Sequence, residues 1–109
     1  MSTRVEVRAF RGTHRSAVYR SHSIERIALR RIVAVAIGER LPTLGQLSNE
    51  ESLTFDAPEA RRIAAEITQL RSAALLLDLD QDLAAIARVA NWCGHARGTA
   101  WLTVRQLEE

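Results

Sequence analysis

Apolar and polar residues alternate along residues 4–10, RVEVRAF. A period of two is typical of a half-buried β-strand, here with Val5, Val7 and Ala9 on the inner face. Gly12 lies in the RGTHR segment that follows and is suited to a turn, after which SAVYR gives a second short extended run. The pattern therefore predicts a β-hairpin at the start of the chain.

The apolar segment IERIALRRIVAVAI, residues 24–37, fits two different structures. As a strand, it would place Val33 and Val35 on one face and small alanines on the other. As a helix, it would align Ala28 and Ile32 in an apolar stripe with arginines outside. Because β-branched residues fill its second half, the sequence favours a strand there, and the helix stays open as the alternative.

The segment SLTFDAPEARRIAAEITQL, residues 52–70, holds the clearest local signal of the chain. SLTF predicts a short strand. Asp56 can accept hydrogen bonds from free amides of a first helical turn, and Glu59 completes the D-x-x-E pattern of a capping box. A helix is therefore predicted to start directly after Asp56. Arg62 and Glu66, four residues apart, are predicted to pair on its solvent side.

A second helix is predicted over LLLDLDQDLAAIARVANWCG, residues 75–94. Asp80 or Asp82 would cap its start, and Gly94 is placed to end it in a left-handed C-terminal turn. TAWLTVR, residues 99–105, then alternates apolar and polar side chains and predicts a closing strand.

The order of these elements predicts a single α+β domain over residues 1–109. Its expected architecture is an antiparallel β-sheet of about four to five strands with two α-helices packed on one face. Residues 38–51, GERLPTLGQLSNEE, carry a proline and two glycines and are predicted to form a loop, the segment most expected to be mobile.

The basic residues are concentrated in the first third of the chain. All 15 are arginines, and residues 1–31 hold eight of them against two glutamates, whereas the remainder holds seven against eleven carboxylates. Such a split is often found in proteins with a surface for an anionic partner, although the two parts could also neutralise each other when folded. The candidate contacts for an anionic partner are Arg4, Arg8, Arg11, Arg15 and Arg20.

The residue types that carry metal or thiol chemistry form no complete site in the sequence. Cys93 falls on the apolar stripe of its helix and is predicted to be a buried thiol, although His95 is near. Together they would supply only two of the four ligands of a zinc ion. Asp78, Asp80 and Asp82 have the spacing that opens a calcium loop, but the required glycine and glutamate are missing. No metal and no cofactor is expected.

The face of the predicted sheet that the helices leave uncovered is the main functional hypothesis. It is expected to carry Phe10, Ile32, Ala34 and Trp101, and an exposed apolar face of this kind favours contact with a second copy or another chain. No phosphate-binding glycine loop, nucleophile elbow or HExxH motif is present, and no segment is apolar for long enough to span a membrane.

The sequence therefore predicts a cytoplasmic, non-enzymatic binding protein, a homodimeric regulatory or immunity-like module that docks on a macromolecular partner. The alternative is a nucleic-acid-binding regulator that uses the N-terminal arginines. A small enzyme with a site that no motif marks is least favoured.

Overall fold

The computed structural model of the chain describes residues 4–13, 17–47 and 52–107. Arg15, one of the candidate contacts, and residues 48–51 of the predicted loop lie outside these ranges. Within them the elements are β1 (Arg4–Arg11), β2 (Val18–Glu25), α1 (Arg26–Gly38), β3 (Leu53–Asp56), α2 (Ala57–Ser72), α3 (Asp80–Gly94) and β4 (Ala100–Leu107), with short 3₁₀ helices at Leu44–Gln46 and Leu77–Leu79.

The described strands form one antiparallel sheet in the order β2-β1-β4-β3. The predicted N-terminal hairpin is confirmed, since β1 and β2 pair along their whole lengths from Arg4 opposite Glu25 to Arg11 opposite Val18. Gly12 follows β1 with a φ of 106°, a conformation that side chains with a Cβ rarely adopt. The expected α+β class with an antiparallel sheet is therefore confirmed, with four strands in the described residues.

One face of the sheet packs against the helices and forms the core. Val5, Val7 and Ala9 of β1 and Leu102 and Val104 of β4 are almost completely buried there, in one cluster with the inner sides of the helices. The inner face predicted from the alternation in β1 is thus confirmed. Among the described residues, none of the helices has both the length and the apolarity needed to cross a membrane.

The strand predicted within residues 24–37 is wrong, because β2 ends at Glu25 and the helix α1 follows directly. The helical stripe that includes Ala28 and Ile32 is buried in the core, so tertiary packing outweighs the strand preference of the β-branched residues. Ile32 is therefore a core residue, and Ala34 is exposed on the outer side of α1. Neither lies on the sheet, and the described residues form three α-helices where two were predicted.

The start of α2 is as predicted. The amide of Glu59 donates to Asp56 Oδ1 at 2.9 Å, and the amide of Asp56 donates to Glu59 Oε1 at 3.1 Å, which completes the capping box. The predicted solvent position of Glu66 is wrong, since this carboxylate is buried and accepts the amides of Leu44 at 2.7 Å and Thr43 at 3.3 Å. It therefore caps the 3₁₀ helix and holds part of the predicted loop against the core.

Gly94 ends α3, but not through a left-handed turn. It is the last helical residue, and the following cap residue, His95, has a φ of −103°. A Cβ added at Gly94 would lie 2.4 Å from Cγ and 3.1 Å from the backbone nitrogen of Arg61. The close approach of α2 and α3 therefore explains why a glycine is present at this position. Arg61 Nη1 of α2 also donates to the Gly94 carbonyl of α3 at 2.8 Å.

Candidate functional site

The sheet face opposite the helices, called the open face below, carries aromatic and charged side chains. Alternation along β1 puts Arg4, Glu6, Arg8 and Phe10 on this face, in contrast to the buried residues between them. The strand register extends each position into a row across the sheet. The row at one end of the sheet consists of Tyr19, Phe10, Trp101 and Asp56.

The aromatic ring of Phe10 contacts both other aromatic rings of that row. The rings of Phe10 and Trp101 are stacked, with centroids 5.0 Å apart and an interplanar angle of 13°. Tyr19 lies on the other side of Phe10 at 6.2 Å and is 55% exposed. Phe10 and Trp101 were both predicted for an uncovered apolar face, and the structure brings them together on it. We refer to the three residues as the aromatic row.

A charged network lies beside the aromatic row. The guanidinium carbon of Arg8 is 4.5 Å from the ring centroid of Tyr19, and Arg8 Nη2 donates to Glu6 at 2.9 Å. Arg105 Nε donates to the other oxygen of Glu6 at 3.3 Å. Glu6 is only 9% exposed, so two arginines enclose this carboxylate. On the same face Arg4 binds the hydroxyl and the carbonyl of Ser23 at 2.7 Å and 2.9 Å.

The other two candidate arginines in the described residues lie on the helical side of the sheet. Arg11 donates to the carbonyl of Trp92 through both Nε and Nη2, and its guanidinium carbon is 4.4 Å from the Trp92 ring centroid. Arg20 approaches the same ring at 5.4 Å. The four described candidate arginines therefore do not share one surface, since Arg4 and Arg8 face one side of the sheet and Arg11 and Arg20 the other.

A cleft separates β2 from α3 on the helical side, and we call it the β2–α3 cleft. It has a volume of about 430 Å³ and is lined by Arg20, Ser21, His22, Ala85, Arg88 and Val89. His22 Nε2 lies 2.8 Å from Asp82 Oδ1, a contact that connects β2 to the first turn of α3. Within the described ranges, no carboxylate lies within ion-pair distance of Arg20 or Arg88.

Sequence reasoning missed this cleft. Arg88 and His22 are 66 positions apart, and nothing in the sequence brings their segments together before β2 is known to be an edge strand beside α3. The only local signal was the position of Arg88 on the polar side of the predicted helix.

Cys93 has the properties of a core residue. It is completely buried, and burial raises the pKa of its thiol to about 11, against the opposing effect of Arg11. His95 is turned to the carbonyl of Asn91, with its Nδ1 2.9 Å from that oxygen. A thiolate is therefore disfavoured, which argues against a nucleophilic role for this residue.

The three alternating aspartates each pair with a different element. Asp78 contacts Arg31 of α1 at 2.6 Å, Asp80 contacts Arg71 of α2 at 2.9 Å, and Asp82 contacts His22 of β2. The arginine partners lower the pKa of Asp78 and of Asp80. The carboxylates therefore diverge and join the start of α3 to its neighbours, and no group of metal-ligating side chains is found within the described residues.

The outer side of α1 also exposes apolar side chains. Ile27 and Ile37 are 68% and 63% exposed, and Ala34 lies between them. This stripe is separate from the aromatic row, so the four residues predicted for one partner face fall into three environments: the open face, the core and the outer side of α1.

Comparison of the chain with protein-family models, with curated proteins and with solved structures finds no match in any of the three. The function therefore has to be inferred from the residues themselves.

Proposed function

We propose that this protein is a non-enzymatic binding module that acts as a homodimer, in which the open faces of two copies pack against each other. The observation that supports it best is the aromatic row, three contacting rings on a sheet face that the helices leave uncovered. Aromatic side chains in a solvent-accessible row provide a large apolar contact area and are enriched at protein interfaces.

A second copy is favoured as occupant because the open face is self-complementary. With a two-fold axis parallel to the strands and between β1 and β4, β1 of one copy lies over β4 of the other. The registers then set Phe10 of one copy against Trp101 of the other, and Glu6 against Arg105. At the centre of the interface these two rings therefore stack on each other, and these two charges are opposite in sign.

The charge balance of the open face also favours a protein surface as its partner. Its arginines are matched by an equal number of carboxylates, and Glu6 already engages two of the arginines. Such a face has little net attraction for a polyanion, whereas alternating charges suit an interface with a copy of itself. The charged residues concerned are Arg4, Arg8, Arg105, Glu6, Glu25 and Asp56.

The size of the open face is sufficient for a weak dimer. Strands of eight residues in β1, β2 and β4 and the shorter β3 span roughly 450 Å² per copy, at a rise of about 3.3 Å per residue and a strand spacing of about 4.8 Å. Two copies would bury roughly 900 Å², near the lower limit of specific interfaces of about 1,000 Å². We therefore expect dissociation in the micromolar range.

In this arrangement the helical side of each copy stays accessible for the macromolecular partner. A cytoplasmic regulatory or immunity-like protein, which controls another protein by docking on it, is the role we propose. The buried, unreactive Cys93 agrees with a binding role, because the residue best suited to be a nucleophile is protected from substrates.

Sedimentation equilibrium over the micromolar range tests the dimer. The wild type should show a mass that approaches twice the monomer mass, and Trp101→Asp should shift it to the monomer with an unchanged circular dichroism spectrum. Ile37→Glu is the matched control, since it places a charge on the exposed stripe of α1 and should leave the dimer intact. A monomeric wild type would contradict the proposal, as would a dimer that Ile37→Glu dissociates and Trp101→Asp does not.

Single-stranded nucleic acid is the second candidate for the open face. Bases can stack on exposed aromatic rings, and Arg8 lies over Tyr19 where it could contact a phosphate. This candidate predicts oligonucleotide binding that weakens steeply with added salt and is reduced by Tyr19→Ala. If the wild type binds no oligonucleotide at low salt, the candidate is wrong.

A further inference from the structure

We propose that the β2–α3 cleft binds a phosphomonoester, the terminal phosphate of a small organic molecule. Arg20 lines the cleft from β2 and Arg88 from α3, so arginines on both walls border the same space. Guanidinium groups offer paired N–H donors that match phosphate oxygens, and two of them can neutralise the two charges of a phosphomonoester.

The donors of Arg20 and Arg88 are available to a ligand. Arg8, Arg31, Arg71 and Arg105 all engage carboxylates, whereas the described residues place no carboxylate within ion-pair distance of Arg20 or Arg88. Their guanidinium groups therefore need not be released from another partner before they bind an anion. This distinguishes the cleft from the open face, where Glu6 engages Arg8 and Arg105.

Neighbouring residues position Arg20. Its guanidinium carbon lies 5.4 Å from the Trp92 ring centroid, and Arg11 contacts the same ring at 4.4 Å. Arg11 is itself fixed by its bonds to the Trp92 carbonyl. The indole thus restricts Arg20, which lowers the entropy cost of binding, and Arg11 adds positive potential without occupying the cleft.

His22 provides a further polar group in the cleft. Asp82 Oδ1 lies 2.8 Å from its Nε2 and orients the imidazole. With Arg11, Arg20 and Arg88 nearby, the surroundings of the cleft are still net positive. β2 is also an edge strand of the described sheet, so alternate backbone amides on its outer side have no strand partner among the described residues.

The shape of the cleft favours a small molecule. Ala85 and Val89 give it an apolar wall, and about 430 Å³ falls within the roughly 300–1,000 Å³ typical of small-molecule sites. The small Ala85 side chain keeps this wall open. A phosphate bound between the arginines would leave space for the organic group to which it is attached.

The proposal is independent of the dimer. The cleft lies on the helical side of the sheet, so packing of the open faces leaves it accessible, and a monomeric protein could bind the same ligand. Failure of one proposal therefore does not decide the other.

Titration of ¹⁵N-labelled protein with adenosine 5′-monophosphate, and separately with inorganic phosphate, tests the site. We expect saturable shifts of the amides of residues 20–22 and 85–89, and none with adenosine, which lacks the phosphate. Arg88→Ala should weaken binding by about tenfold or more, because it removes a charge-assisted contact. Arg20→Lys, which keeps the charge but loses the paired donors, should weaken it less than Arg20→Ala.

Arg62→Ala is the matched control, since Arg62 is an exposed arginine of α2 that does not line the cleft. Its affinity should equal that of the wild type. The proposal would be overturned if the amide chemical-shift changes grew linearly with ligand concentration and spread over all arginine-bearing surfaces. It would also be overturned if Arg88→Ala bound the ligand with wild-type affinity. An oligonucleotide that binds more tightly than the monophosphate and shifts open-face amides instead of those of the cleft would overturn it too.

Discussion

The rings of Phe10 and Trp101 stack across the two central strands at 5.0 Å, on the side of the sheet that no helix of the described residues covers. Both side chains keep part of their surface accessible, although their neighbours on the opposite face are buried in the core. The pair therefore belongs to the surface of the sheet and not to the core, and we expect its contribution to the free energy of folding to be modest.

We predict that Phe10 and Trp101 are energetically coupled. A stacked aromatic pair contributes about 0.5–1.5 kcal/mol beyond the area that it buries. In a double-mutant cycle of Phe10→Ala and Trp101→Ala, the coupling in the free energy of urea unfolding should lie in that range.

The cycle should be measured at concentrations where the protein is monomeric, because dimer formation would add to the coupling. A cycle of Phe10→Ala with Ile37→Ala, which lies on the outer side of α1, serves as control and should show no coupling. Additive effects of the two aromatic substitutions would contradict the stacked geometry.

Removal of the Glu66 carboxylate should lower the free energy of unfolding markedly, although the sequence pattern suggests a surface position, because the carboxylate is buried. Glu66→Ala leaves the amides of Thr43 and Leu44 without their acceptor in a buried environment, a loss of about 2–3 kcal/mol in the free energy of unfolding. Glu66→Gln keeps one acceptor oxygen and should cost less. Urea denaturation measures both.

Gln69→Ala, an exposed change on the same helix, is the control for Glu66 and should alter stability by less than about 0.5 kcal/mol. If Glu66→Ala is equally mild, the carboxylate does not hold the 3₁₀ helix.

Local signals in the sequence were sufficient where the determining groups are close together in the chain. The capping box depends on Asp56 and Glu59, three residues apart, and the alternation in β1 identifies its buried face without knowledge of the other elements. These features therefore followed from the sequence alone.

Features that depend on distant segments did not follow from the sequence. Residues 24–37 satisfy both the helical and the strand period, and the contact of Ile32 with the core decides between them. The spacing of Arg62 and Glu66 is that of a surface ion pair, and only the position of the 3₁₀ helix reveals the true partner. The cleft residues Arg20 and Arg88 meet only because β2 lies beside α3.

Gly94 should tolerate a side chain poorly, because its Cβ would lie 2.4 Å from Cγ of Arg61 and only 3.1 Å from the backbone nitrogen of the same residue. Gly94→Ala is expected to lower the free energy of unfolding by about 1–3 kcal/mol, the usual cost of overpacking. Gly98→Ala is the matched control, since a Cβ there meets no atom within 4 Å, and it should be neutral. Thermal unfolding followed by circular dichroism compares the two, and equal melting temperatures would contradict the close approach of the helices.

The buried thiol of Cys93 should make stability depend on alkaline pH. Its pKa is raised by burial from an ordinary value of 9.0 to about 11 in the folded protein. Below pH 9 both states keep the proton, so the stabilisation is complete. Between these two values the unfolded chain loses the proton and the folded chain retains it, so the free energy of unfolding falls as the pH rises.

Cys93→Ala removes this titration, so the stability difference between wild type and variant measures it directly. The advantage of the wild type should be constant below pH 9 and should decrease steadily as the pH rises from 9 towards 11, a window set by the two pKa values. The comparison cancels the titration of other groups, because both proteins share them. Since the thiol is completely buried, it should also react with an aromatic disulfide reagent only as fast as the protein opens. A pH-independent difference, or rapid labelling of the folded protein, would show that Cys93 is accessible to water.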